Sequence, residues 1–412
     1  MPTRRIFLKN SALAMVGIGV LPQWLARSAY ASTVGGRKKI LVAIFQRGAV
    51  DGLNVVVPYG EQVYYNLRPT IAVPRGSLLD LDGFFGFHPS LAALKPLWQQ
   101  GHLAAIHATG SPDPTRSHFD AQDFMESGTP GLKSTDDGWL NRAIGLDAYA
   151  GASPVRAVAM GPQVPLTLQG HAPAVAINNL NAFRVGGPGP QAASITATFE
   201  AMYDHSSDAV LRPAGQDTFA ALRLLKGLDP ANYQPENGAV YPAQALGHSL
   251  RQLSQLIKAD VGVEVAFADV GGWDHHVNEG GVQGQLANNL RQFGDAIAAF
   301  WTDLGQRQED VVLVTMSEFG RTVHENGNRG TDHGHANAMF VLGGAVRGGQ
   351  VYGLWPGLGA DQLYQNRDLA VTTDFRDVLS EVVARHLGVE PLGGVFPGYQ
   401  ANPAKFRNFL RT

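Results

Sequence analysis

Six short apolar runs punctuate the chain, at residues 40–45, 103–107, 155–160, 263–268, 311–316 and 339–342. They are rich in Val, Ile and Ala and do not alternate with polar residues, the pattern of strands covered on both faces. Between them the apolar period changes. Leu246, Leu250, Leu253 and Ile257 recur at helical spacing ahead of the 263–268 run, and Leu286, Leu290, Phe293, Ile297 and Phe300 do so ahead of 311–316. Strands alternating with helices predict an α/β fold, with a mainly parallel central sheet between two helical layers, an α/β/α sandwich. Segments 186–190 and 229–242, rich in Gly, Pro or Asn, read as loops. No internal repeat is present, so one domain with irregular excursions is the simplest organisation.

The first 31 residues follow another pattern. Thr3, Arg4 and Arg5 lead into Phe7, Leu8 and Lys9; an uncharged apolar stretch covers 11–21; Ala29, Tyr30 and Ala31 close the segment. A basic start, an apolar middle and a small-residue cleavage site make a signal peptide, and the paired arginines make it a twin-arginine one. The apolar stretch is shorter than the roughly 20 residues that span a bilayer. The sequence therefore predicts a signal peptide over 1–31 and a mature domain over 32–412. That domain is expected to be periplasmic or secreted, carried out by the twin-arginine translocase and left without a stable membrane anchor.

Composition narrows the chemistry. The chain is 44% hydrophobic with a net charge of −3 and no basic run in the mature part, so bulk electrostatic attraction to nucleic acid is excluded. It contains no cysteine, which removes disulfides, thiolate metal ligands and a cysteine nucleophile. Any metal must be held by His, Asp, Glu or other oxygen donors.

Residues of that kind concentrate beyond strand ends, where ligands gather in open α/β sheets. The 263–268 run leads to Asp274, His275 and His276. The 311–316 run leads to Glu318 and Arg321, then to Asp332, His333 and His335. The 40–45 run leads to Asp51. Asp–His pairs among glycines at two strand ends point to a divalent metal; mixed oxygen and nitrogen donors suit Zn or Mn, carboxylates alone Mg or Ca. A fourth loop follows 103–107 and reaches Ser117, which reads as a helix N-cap. A hydroxyl at a helix N-terminus lies where an oxyanion is stabilised, so Ser117 is either a nucleophile or an ordinary cap. Arg116 beside it is either an anion clamp or a surface residue.

Five segments together resemble the DUF1501 family of exported bacterial proteins, in the alkaline phosphatase and sulfatase superfamily. They are RGAVDGLN at 47–54, SHF at 117–119 with Gln122 and Asp123, GGWD at 271–274 with His276, SEFGRT at 317–322, and GTDHGH at 330–335. The resemblance implies two metals, one held by Asp274, His276 and His335 and the other by Asp51, Asp332 and His333, with Ser117 as the nucleophile between them. Two metals about 3.5–4 Å apart clamp the attacking and leaving oxygens of an in-line displacement. Whether His275 or His276 ligates stays open, and His118, His275, Glu318 and Arg321 either support the site or form structural pairs. Without cysteine no cysteine-derived formylglycine can form, which puts phosphate esters ahead of sulfate esters as substrates. The expected function is an exported metal-dependent ester hydrolase acting on a small anionic ester or an envelope glycan. The alternative is a non-catalytic envelope or glycan-binding protein on the same scaffold.

Overall fold

A computed structural model of the chain describes residues 38–149, 152–182, 198, 200–205, 211–226 and 228–411. The signal segment 1–31 and the loop 186–190 lie outside the described residues.

Nine strands form the main sheet: β1 (Ile40–Gln46), β2 (Leu103–Gly110), β3 (Ala157–Met160), β4 (Val175–Ala176), β5 (Val265–Val270), β6 (Val311–Met316), β7 (Asn337–Gly343), β8 (Val351–Tyr352) and β9 (Thr373–Asp374). Their spatial order is β8-β2-β7-β6-β1-β5-β3-β4, with β9 also on β2. Every pairing is parallel except those of β7, which runs antiparallel to β2 and β6. All six predicted apolar runs are strands. The 263–268 run joins the ladder only at Val265, because the Glu264 and Val265 amides both donate to the Arg156 carbonyl there.

The central strand explains the unalternated apolar runs. Ile40, Val42 and Ile44 face one core, and Leu41, Ala43 and Phe45 face the other. Against the first face pack α4 (Ala245–Lys258), through Leu246, Leu250 and Leu253, and α5 (Gln285–Leu304), through Leu290, Phe293 and Ile297. Against the second pack α2 (Trp139–Leu146) and α6 (Phe375–Val382), through Trp139, Leu140, Phe375 and Leu379. The molecule is thus the expected α/β/α sandwich. Two further helices are α1 (His118–Ser127), following β2, and α3 (Leu211–Lys226). Among the described residues no helix is long and apolar enough to cross a membrane.

The antiparallel strand matters for function. Parallel β1, β2, β5 and β6 carry their C-terminal ends to one edge, and with them the loops after Gln46, Gly110, Val270 and Met316. Because β7 runs the other way, it starts at that edge, which brings residues 330–335 to the same place.

Candidate metal centre

Three imidazoles and one carboxylate meet at this edge. His118 is the first residue of α1, Asp274 and His276 lie on the loop after β5, and His333 precedes β7. The Asp274 Oδ1 atom is 3.0 Å from His276 Nε2, 3.4 Å from His333 Nε2 and 3.5 Å from His118 Nε2. Ligand atoms of His118, Asp274 and His333 lie within 4.8 Å of one another, a group that could hold a metal ion. Phe319 packs beneath, its ring 5.0 Å from those of His118 and His333.

The second nitrogen of each ring fixes what the first can do. His118 Nδ1 is 2.8 Å from Glu318 Oε1, His276 Nδ1 is 3.0 Å from Asp332 Oδ1, and His333 Nδ1 is 2.8 Å from the Arg116 carbonyl. A carbonyl and an ionised carboxylate only accept hydrogen bonds, so each Nδ1 carries the proton and donates it. In the neutral rings every Nε2 is then left with a lone pair, and all three lone pairs point toward the Asp274 carboxylate. His276 Nε2 and His333 Nε2 stand 3.0 Å apart in this arrangement, and the buried His118 Nε2 has no hydrogen-bond partner. Lone pairs facing one another around a carboxylate repel unless a cation lies between them. Imidazoles anchored through Nδ1 to carboxylates or carbonyls are also the usual setting of metal ligands. The donor set therefore fits a divalent metal.

Electrostatics agree. Burial raises the Asp274 pKa, but the Arg321 guanidinium at 2.5 Å, with His276 and His118, holds it down to about 2. The hydrogen bond to Glu318 raises the His118 pKa against burial. Burial pushes His333 down, with the charges of His118 and Arg321 adding to it. Glu318 stays ionised despite burial because His118, Gln122 and the Gly48 amide donate to it. Asp332 is likewise held low against burial by His276 and Asn326. The two loops can approach because position 48 is glycine. Its φ is +116°, and a Cβ there would sit 2.8 Å from the Asp274 amide nitrogen.

The resemblance implied a different grouping, and three of its residues, Asp51, His335 and Asp332, are engaged elsewhere, as is Arg116. Asp51 is fully buried and takes hydrogen bonds on both carboxylate oxygens from the buried Arg68, whose charge depresses its pKa against burial. Its oxygens are occupied by a guanidinium. His335 stacks on Tyr364, ring centroids 4.4 Å apart. Asp332 touches His276 through its Nδ1 and so orients that ring. Arg116 is bound to the buried Asp368 at 2.5 Å and to Gln365 at 2.9 Å. Ser117 caps α1, its Oγ accepting from the Asp120 amide at 3.5 Å, between Arg116 and His118 in the chain. The adjacent histidines point in different directions. His276 enters the cluster, whereas buried His275 faces Asn289, 3.4 Å away, and burial beside Arg321 lowers its pKa to about 4.

Sequence reading gave His118 only a supporting place, and it missed Arg68, Glu279 and Asp368. Glu279 is wholly buried, receives the Thr331 hydroxyl at 2.8 Å, and has its pKa raised by burial and by the Asp51 charge. The position of His118 directly after an N-cap was the available signal; nothing in the sequence around Arg68 or Glu279 marks a buried charge.

A family model described as "Protein of unknown function (DUF1501)" matches residues 38–394. The chain belongs to this family. A search of curated proteins finds no match. Solved structures similar to this DUF1501 chain include the C-terminal periplasmic domain of EcEptC from Escherichia coli in complex with Zn, 10% identical over 75% of this chain and 73% of that one, TM-score 0.35. Another is the PsFucS1 sulfatase from Pseudoalteromonas sp., 12% identical over 92% and 74%, TM-score 0.41. A third is the phosphonate monoester hydrolase of Agrobacterium radiobacter, 11% identical over 88% and 78%, TM-score 0.34.

Proposed function

We propose that this DUF1501 chain is an exported, metal-dependent hydrolase of phosphate or related sulfate esters, with His118, Asp274, His276 and His333 as the ligands of one divalent ion. One observation carries the reading: three Nε2 lone pairs, each fixed by an acceptor at Nδ1, converge on a single carboxylate. Three imidazoles with one carboxylate suit zinc better than magnesium or calcium, which prefer oxygen. When bound, the metal supplies Lewis acidity toward an ester oxygen.

The chain's own residues do the rest. Ser117 is the nucleophile of this reading. Its Oγ attacks phosphorus, the seryl proton passes to solvent, and the ester P–O bond breaks as the leaving alkoxide takes up a proton. Water then cleaves the new P–O bond and restores the hydroxyl. The first amides of α1 add partial positive charge for the anionic group. Arg321 and Glu318 hold Asp274 and His118 in place, and Asp332 holds His276. Export rests on residues 1–31 and would deliver the mature domain to the periplasm or beyond, to meet a small anionic ester or an envelope glycan.

The test is metal analysis of the mature chain, followed by a screen of phosphomono-, phosphodi- and sulfate esters with Zn²⁺ and Mn²⁺. About one metal per chain is expected, together with turnover that His333→Ala abolishes with the metal and Ser117→Ala abolishes without losing it. A chain that binds no divalent metal refutes the reading. Binding without turnover is the second reading, favoured by the commitment of the Arg116 guanidinium to Asp368. Stoichiometric metal with no hydrolysis of any of these esters would select it.

A further inference from the structure

Resting on the metal reading above, we infer that Glu318 is the positioning residue that makes His118 a ligand, within a half-buried chain Arg47–Gln122–Glu318–His118. His118 and Gln122 are four residues apart on α1 and so share one face of it. Both reach the same oxygen: His118 Nδ1 lies 2.8 Å and Gln122 Nε2 2.9 Å from Glu318 Oε1. That oxygen also takes the Gly48 amide at 2.8 Å, and the Ser317 hydroxyl lies 3.0 Å from Oε2. Arg47 closes the chain behind, donating from its guanidinium to Gln122 Oε1 at 2.9 Å.

Two consequences follow from this saturation. Glu318 has 0% exposure and its oxygens are already engaged, so it is not free to swing out and ligate. Its carboxylate is an acceptor only, which forces the proton of His118 onto Nδ1 and leaves Nε2 bare toward Asp274. The same carboxylate ties the first turn of α1, which also bears Ser117, to the loops after β1 and β6. Segments 47–54, 117–123 and 317–322, which the resemblance singled out separately, thus act here as one device.

Glu318→Gln tests this, because it keeps the volume and one acceptor while removing the charge. Zinc affinity of the mature chain, measured by competition with a chromogenic chelator, is expected to fall about 10–100-fold in this variant. A purely structural role would weaken binding equally in any background, so the decisive comparison is a double-mutant cycle with His118→Ala. Glu318→Gln should add nothing once His118 is gone. Wild-type affinity in Glu318→Gln, or the same fold-loss repeated in His118→Ala, overturns the inference. Nitrogen-15 NMR of the metal-free wild-type chain supplies a readout that needs neither metal nor variant: neutral His118 should be protonated on Nδ1, and an Nε2–H tautomer overturns the inference. If the wild-type chain binds no zinc, the metal reading falls, and this tautomer still decides the role of Glu318.

Discussion

Replacing Arg321 by Met should be among the most damaging single changes near the centre. The guanidinium is buried and donates to four backbone carbonyls: Ala49 at 2.7 Å, Gly48 at 2.5 Å, Thr331 at 3.1 Å and Trp273 at 3.2 Å. It also binds Asp274 Oδ1 at 2.5 Å. At about 1 kcal/mol for each lost hydrogen bond, a floor because the guanidinium donor is charged, the carbonyls alone contribute about 4 kcal/mol. The Asp274 side chain is 46% exposed and can rehydrate, so its ion pair adds little. A loss of about 4 kcal/mol is a large part of the roughly 5–15 kcal/mol that holds a domain folded. Urea unfolding of the metal-free mature chain measures it, and Arg321→Lys, which keeps the charge but not the fork, should fall between variant and wild type. The variant also changes acid behaviour. Asp274 has a folded pKa of about 2 against an ordinary 3.8. A depressed carboxylate stabilises above its unfolded pKa, and that stability is lost as pH falls through the folded value, so the Asp274 share should disappear between about pH 4 and 2. In Arg321→Met that share should shrink, and the Asp274 carboxyl, followed by carbon-13 NMR, should titrate above its wild-type value, with only His276 and His118 left to hold it down. A variant within about 1 kcal/mol of wild type, with Asp274 still titrating near 2, would refute the assignment of Arg321 as the brace of the centre.

Asp51→Asn leaves the buried Arg68 without its counter-charge and should cost about 3–5 kcal/mol in urea unfolding. It should leave the metal content of the folded chain unchanged; loss of one of two metals would restore Asp51 as a ligand. Gly320→Ala would put a Cβ 1.8 Å from the Ala336 carbonyl oxygen and 2.7 Å from its carbon, backbone atoms that cannot swing aside. It should cost more than the about 1–3 kcal/mol of ordinary overpacking and lower the Tm by at least about 5 °C, while Gly145→Ala on α2, with open space around it, should not lower it. Arg4→Lys with Arg5→Lys should hold the precursor in the cytoplasm, read by cell fractionation; unimpaired export would remove the twin-arginine assignment.

The sandwich was legible because burial on both faces leaves a strand no reason to alternate, and β6 coincides with its predicted run, 311–316. Strand direction was not legible. An apolar run carries no polarity, so nothing in 339–342 revealed that β7 alone is antiparallel. For the centre, the sequence located the loops but not the partners. Asp51 and Asp274 look alike as aspartates after strands, yet one meets Arg68, 17 residues away, and the other meets three imidazoles. Among His118, His333 and His335 the deciding fact is what each ring's remaining nitrogen or face touches: Glu318, the Arg116 carbonyl or Tyr364. The first two contacts span 200 and 217 residues, and spacing along the chain encodes none of the three.

Charge also bears on the divalent cation proposed for the cluster. Around the three imidazoles stand the carboxylates of Asp274, Glu318 and Asp332, all with pKa values held below the ordinary range. Arg321 supplies a buried positive charge against Asp274, while Arg68 is spent on Asp51 and Arg116 on Asp368. The ensemble is thus left two negative charges in excess when the rings are neutral. A proton shared between two Nε2 atoms would cancel one of these charges and leave the third imidazole lone pair facing the carboxylate. A divalent ion cancels both and gives every lone pair an acceptor. The site would then be close to neutral, so attraction of an anionic ester would come from the Lewis acidity of a bound metal and the α1 N-terminus rather than from a basic surface, in keeping with a chain whose net charge is −3.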